Sequence, residues 1–178
     1  MVKALPDLDI SSLNVLIIED NKYMQLILTE ILRAFRVRNI RTAVDGADAL
    51  DELKTFAADI VLCDWEMMPI TGIEFTSMVR TMSDVANPYV SIILITGHTE
   101  AEKVRYARDQ GVTEFLAKPV SAAKLYERIC SVIMNPRQFI KTKKYNGPDR
   151  RRGSKLVTEA RRRSNDTPVE DDSEQLSA

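Results

Sequence analysis

The sequence predicts an α/β protein: a doubly wound, five-stranded parallel sheet with helices on both faces, followed by a basic tail. Three observations predict it. Five short apolar runs alternate with longer segments whose apolar residues recur at three- and four-residue spacing. The runs are continuous rather than alternating, as in strands buried on both faces. Each run also stops on a polar or charged residue, which sets chemistry at the carboxyl edge of the sheet, where open α/β sheets bind ligands.

Residues 1–12 read as a loose lead-in, and residues 13–136 as the folded domain. Asn14 to Ile18 is the first strand, halted by Glu19-Asp20. Asn21 caps a helix whose Met24, Ile27, Leu28, Ile31, Leu32 and Phe35 are expected to face inward. Ile40 to Val44 is the second strand, and Asp45-Gly46 leads into a helix carrying Ala49, Leu50 and Leu53. Asp59 to Asp64 is the third strand, followed by a helix over Gly72 to Met82. Val90 to Ile95 is the fourth, ending at Thr96-Gly97-His98. A polar helix from about Glu100 to Gln110 is stopped by Gly111. Glu114 to Ala117 is a short fifth strand, closed by Lys118-Pro119, and Ser121 caps a last helix to about Met134. Strands separated by helices pair in parallel, and right-handed crossovers lead to the flavodoxin-like order.

Charge divides the chain. Residues 1–136 hold 14 Lys and Arg against 19 Asp and Glu; residues 137–163 hold 11 against two; residues 164–178 hold none against five. An acidic body with a basic arm suggests a tail that handles something negative. Cys63 and Cys130 each lie in an apolar run and read as buried reduced thiols. No apolar run reaches the ~18–20 residues of a membrane helix, and the start lacks a signal-peptide layout. A cytoplasmic location is expected.

The strand ends assemble a specific chemistry. Glu19 and Asp20 end the first strand and Asp64 the third, which are neighbours in this topology. Crowded carboxylates need a cation or must protonate, and Mg²⁺ suits oxygen ligands at a site that also takes phosphate. Glu66, two residues past Asp64, is expected to join the metal group. Thr96 supplies a hydroxyl and Lys118 an ammonium. These parts fit phosphoryl transfer to Asp64, with charge neutralised from several sides. One acidic residue at a strand end is ordinarily a cap or a solvated group; Glu19, Asp20, Asp64, Thr96 and Lys118 together, at four strand ends, are not. His98 has no second His or Cys placed to make a metal site, and reads as polar loop surface. Trp65, beside the pocket, is either a contact surface or loop packing.

Over residues 13–134 the chain resembles the CheY-like receiver domains of two-component response regulators. Glu19-Asp20 matches the acidic metal pair, Asp64 the phosphoryl acceptor, Thr96 the hydroxyl that moves toward the phosphoryl group, and Lys118-Pro119 the Lys-Pro edge. Phe115 falls where such domains carry an aromatic that turns inward on activation. Glu19 stands where Asp is commoner, a change that keeps metal binding. Pro69 comes five residues after Asp64 rather than four, so a reshaped loop is expected there. The resemblance implies a histidine kinase or phosphotransfer protein as donor, Mg²⁺ as cofactor, and a switch at the face formed by the fourth helix, fifth strand and fifth helix.

Residues 137–178 form an arginine-rich extension with an acidic end that reads as disordered. A turn is expected at Asn146-Gly147-Pro148-Asp149, and a short helix could form over Ser154 to Arg163. The extension is too short for a DNA-binding output module with its own core. Arg150-Arg151-Arg152 and Arg161-Arg162-Arg163 can fork onto phosphates and guanine edges, with Tyr145 as a stacking plate. The arrangement is similar to CheY-like proteins whose arginine-rich extensions bind cyclic di-GMP and act on the flagellar motor switch. A solvated tail, or one that binds nucleic acid through phosphates alone, would use the same residues. Two functions follow: a signalling adaptor under cyclic di-GMP control, or a phosphotransfer intermediate or phosphate sink with a nonspecific basic tail. An independent enzyme is not expected, because nothing in the sequence marks a substrate cleft.

Overall fold

A computed structural model of the chain describes residues 8–98, 100–142 and 145–149. The second arginine triplet, all of the first, and the segment read as a possible helix lie outside the described residues.

Strands β1 (Asn14–Ile18), β2 (Asn39–Ala43), β3 (Ile60–Asp64), β4 (Ser91–Thr96) and β5 (Glu114–Ala117) alternate with helices α1 (Lys22–Ala34), α2 (Gly46–Thr55), α3 (Gly72–Thr81), α4 (Ala101–Asp109) and α5 (Ala122–Met134). The sheet is wholly parallel in the order β2-β1-β3-β4-β5, the doubly wound flavodoxin-like fold. All five residues of β3 are buried, as its central place requires, whereas edge strand β2 buries one. The sheet separates two cores. Leu16, Ile18, Cys63, Phe75, Val79 and Leu94 belong to one, and Val15, Ile17, Leu28, Leu32, Leu125 and Ile129 to the other. Alternate residues of β1 thus serve opposite faces.

The helix caps appear where the sequence places them. Asn21 accepts from the Tyr23 and Met24 amides, Asp45 from Ala47 and Asp48, and Ser121 from Lys124. Thr71 and Glu74 form a reciprocal capping box on α3. Gly111 follows α4 with φ +99°, a conformation that explains glycine as the stop.

Three expectations need correction. Ile27 is half exposed, because the buried stripe of α1 centres on Leu28 and Leu32 and Ile27 falls off its edge. The lead-in is docked from Leu8 onward: Ile10 enters the core, and the Tyr126 hydroxyl is bonded to both the amide and the carbonyl of Leu8. The turn expected at residues 146–149 is instead a strand. Strands β6 (Phe139–Lys141) and β7 (Asn146–Pro148) pair antiparallel. Thr142 and Tyr145 are hydrogen-bonded to each other, and the Tyr145 hydroxyl donates to the Pro148 carbonyl at 2.6 Å.

The hairpin packs on α3 because a buried arginine needs a lid. Arg80 is 2% exposed, and its guanidinium donates to the carbonyls of Pro88, Val90 and Gly111. The Phe139 ring lies 5.0 Å from that guanidinium and edge-on to Tyr89. Asn146 donates its side-chain amide to the Arg80 carbonyl. Burial pulls the Arg80 pKa down to about 10, so it stays charged at neutral pH.

Candidate functional site

At the carboxyl edge, parallel register brings three strand ends together. Ile18 stands beside Cys63, so Glu19 and Asp20 follow next to Asp64; Asp64 stands beside Ile95, so Thr96 follows on the neighbouring strand. Thr96 in turn stands beside Ala117, which puts Lys118 next in line. Backbone bonds fix the rim: the Trp65 amide donates to the Ile95 carbonyl and the Lys118 amide to the Thr96 carbonyl.

Lys118 and Asp64 form the central pair. The ammonium lies 2.8 Å from Asp64 Oδ1, and the Trp65 amide donates to the same oxygen at 2.8 Å. Oδ1 is therefore engaged twice. Burial works against the charged lysine, but the bond to Asp64 and the charges of Asp64 and Glu19 outweigh it, so its pKa is raised. Glu19 is buried, and burial together with the Asp64 charge raises its carboxyl above the usual range.

One oxygen of each of Glu19, Asp20 and Asp64 lies within 4.8 Å of the others. Glu19 Oε2 is buried with no hydrogen-bond partner. An orphaned carboxylate oxygen facing two more carboxylates fits a hard divalent cation, and the all-oxygen donor set fits Mg²⁺. Glu66 is not one of these three; its carboxylate lies 2.9 Å from His98 Nε2.

The other expected residues occupy distinct places. Thr96 is 2% exposed, and its hydroxyl oxygen accepts from the His98 amide at 2.8 Å. Phe115 is half-buried against the core beneath α2 and α3. Trp65 packs on the same core, with its ring edge-on to His98 at 5.3 Å. Gly72 is required at the head of α3, since a Cβ there would sit 2.2 Å from the Asp64 carbonyl oxygen. Among the tail residues, Tyr145 lies on the hairpin at the opposite edge of the sheet, while Arg150, Arg151, Arg152, Arg161, Arg162 and Arg163 are outside the described residues.

Two contributors escaped sequence reasoning. His98 spans the pocket mouth, bonded to Glu66 and set 3.1 Å from Lys103 Nζ. Gln25 reaches back from α1 to the carbonyls of Glu19 and Ala43, bracing the loop that carries the acidic pair. The signal for Gln25 was its place one turn into α1, pointing at the strand ends; His98 had no signal in spacing.

Residues 15–130 match the response regulator receiver domain. Chemotaxis protein CheY-3 of Vibrio cholerae is 30% identical over 118 residues, covering 66% of this chain and 89% of its own length. Chemotaxis protein CheY of Pseudomonas aeruginosa is 29% identical, covering 66% and 93%. Among solved structures, the CheX–CheY–BeF₃–Mg²⁺ complex of Borrelia burgdorferi matches at 28% identity and a TM-score of 0.63, over 68% of this chain and 89% of that one. The chain belongs to the response regulator receiver family, and the hairpin and arginine triplets lie beyond the matched residues.

Proposed function

We propose that this receiver is a phosphoryl-controlled signalling adaptor, with Asp64 as acceptor and the arginine-rich extension as a second input. The observation that carries the first half is the Lys118 ammonium 2.8 Å from Asp64 Oδ1, opposite an acidic trio whose buried Glu19 oxygen has no partner.

The donor is a phosphohistidine of a histidine kinase or phosphotransfer protein. The Asp64 carboxylate bonds to phosphorus as the P–N bond breaks, and the imidazole keeps the electron pair and takes up a proton. Lys118 holds the acceptor in position and then faces the new negative charge. Glu19, Asp20 and Asp64 would hold Mg²⁺, which would supply positive charge to the phosphoryl oxygens. Added charge draws the Thr96 hydroxyl inward, away from the His98 amide it now accepts from, and Phe115 completes its burial. The altered face is that of α4, β5 and α5.

In the same proposal, residues 13–136 are the receiver and residues 137–178 the extension, where Tyr145, Arg150–Arg152 and Arg161–Arg163 bind cyclic di-GMP and control docking to a partner protein, the flagellar motor switch. Support comes from the two arginine triplets and from the hairpin, which fixes Asp149, the residue before Arg150, by an amide bond to the Gln138 carbonyl. The names of the chemotaxis relatives support a motility setting.

Asp64→Asn should abolish acid-labile labelling by a phosphohistidine donor, and equal labelling of the variant would refute the assignment. For the extension, calorimetry should show saturable cyclic di-GMP binding that Arg150→Ala and Arg152→Ala weaken. Binding matched by random RNA with a steep salt slope would reduce the tail to charge alone.

A further inference from the structure

Glu19 and Asp20 lie just past the last residues that the sheet holds in register. Ile18 and Ala43 are the final pair of β1 and β2, and the Glu19 amide closes the ladder onto the Ala43 carbonyl at 3.2 Å. β2 then leaves the sheet, its next amide, Val44, donating to the Asp48 carboxylate in the first turn of α2. Gln25 takes over from α1: its Nε2 donates to the Glu19 carbonyl at 3.4 Å and to the Ala43 carbonyl at 3.2 Å. Resting on the reading of the acidic trio as a Mg²⁺ site, we infer that Gln25 is a positioning residue for the metal. It is an uncharged strut that keeps Glu19 and Asp20 beside Asp64 when no cation neutralises them.

A strut is needed because the trio repels itself. One oxygen of each carboxylate lies within 4.8 Å of the others. Burial, then the Asp64 charge and more weakly that of Asp20, disfavour the ionised form of Glu19. Swinging the Glu19-Asp20 segment outward would relieve both costs, and Asp20 is already exposed. Two contacts oppose that movement. The Asn21 amide donates to Glu19 Oε1 at 3.3 Å, while Oε2 stays buried without a partner. Behind the side chain, the Gln25 amide ties the Glu19 backbone to the end of β2. Carboxylates already held in place lose less freedom when a metal binds them, so the strut raises affinity without touching the ion.

The chemistry of a primary amide suits this position. Two carbonyl oxygens on one side can be met only by the NH₂ end, which fixes the orientation of the group. A Lys or Arg at the same place would add a positive charge that competes with the metal, and a Glu would add a further negative one. Gln supplies two donors and no charge. Its own stem is held in the first turns of α1, where the Gln25 amide donates to the Asn21 carbonyl at 2.9 Å. The Thr29 hydroxyl donates to the Gln25 carbonyl at 2.8 Å.

The test is Gln25→Met in the full chain, a change that keeps side-chain length and helix propensity but removes both donors. Mg²⁺ is titrated through the fluorescence of Trp65, the single tryptophan, with the metal-free melting temperature as fold control. The variant should bind Mg²⁺ about tenfold more weakly, the lower end of the loss seen when a group supporting metal ligands is removed. Gln25→Asn, which keeps the amide but falls one methylene short, should weaken binding likewise. Amide hydrogen exchange at residues 19–21 should be faster in the metal-free variant than in metal-free wild type, and saturating Mg²⁺ should close that gap. A lowered melting temperature with an unchanged Mg²⁺ midpoint would overturn the strut, while loss of the metal in Asp64→Asn would leave the site itself standing. Mg²⁺ binding by Asp64→Asn equal to that of wild type would place the metal elsewhere, and both readings would fall.

Discussion

The two edges of the sheet treat buried charge in opposite ways. At the carboxyl edge, Glu19 and Asp64 are buried together, one Glu19 oxygen lacks a partner, and Lys118 alone among the described cations is paired with the cluster. At the amino edge, Arg80 is just as deeply buried, yet three neutral carbonyls and an aromatic ring satisfy it. The first arrangement can gain by accepting a cation; the second has nothing further to gain. A charge left incompletely balanced is a place for chemistry, and a charge fully satisfied is a structural pin.

Breaking the pin should have the largest effect on stability. Arg80→Met strands the carbonyls of Pro88, Val90 and Gly111 and should cost on the order of 3 kcal/mol or more in urea unfolding. A cost under about 0.5 kcal/mol would mean that the arginine is not what holds this edge. Truncation after Pro136 removes the Phe139 ring and the Asn146 bond, and should destabilise the receiver by about 2 kcal/mol. An unchanged unfolding midpoint would make the hairpin an ornament.

The carboxyl edge should instead respond to pH. Burial and the nearby Asp64 charge raise the Glu19 carboxyl above its usual 4.5. The folded chain then holds that proton more tightly than the unfolded chain. The group's contribution to stability therefore falls as pH rises from 4.5 through the raised value, and acidification restores it. Mg²⁺ competes for the same oxygens, so its affinity, read from Trp65 fluorescence, should weaken as pH falls into that interval. Glu19→Gln should flatten this dependence; an identical profile in the variant would assign it elsewhere. The smallest effect belongs to the pocket mouth. His98→Ala removes the contact with the mostly exposed Glu66 carboxylate and should change stability by less than about 1 kcal/mol.

The sheet and the side chains gathered at its carboxyl edge are legible in the sequence because each depends on local pattern. A buried parallel strand is a continuous apolar run, and a strand end is a polarity step, so the sequence alone aligns Glu19, Asp64, Thr96 and Lys118. What escaped depends on contacts between distant segments. Arg80 sits on a helix where an arginine ordinarily faces water, and nothing nearby in sequence announces the carbonyls of Pro88, Val90 and Gly111. Asn, Gly, Pro and Asp at residues 146–149 carry turn chemistry, which tertiary packing on α3 overrides. Ile27 satisfied helical spacing yet faces solvent, since spacing marks a stripe but not its width. Nothing near Glu66 in sequence announces that its carboxylate lies 2.9 Å from Nε2 of His98, far along the chain.

The most direct test of the account is to locate the phosphoryl group itself. The full chain would be charged by a phosphohistidine donor with Mg²⁺, trapped by reduction of the acyl phosphate, and mapped by peptide mass spectrometry. One modified carboxylate is expected, at Asp64, and none when Mg²⁺ is withheld. Modification at Glu19 or Asp20, or equal yield without the metal, would contradict it.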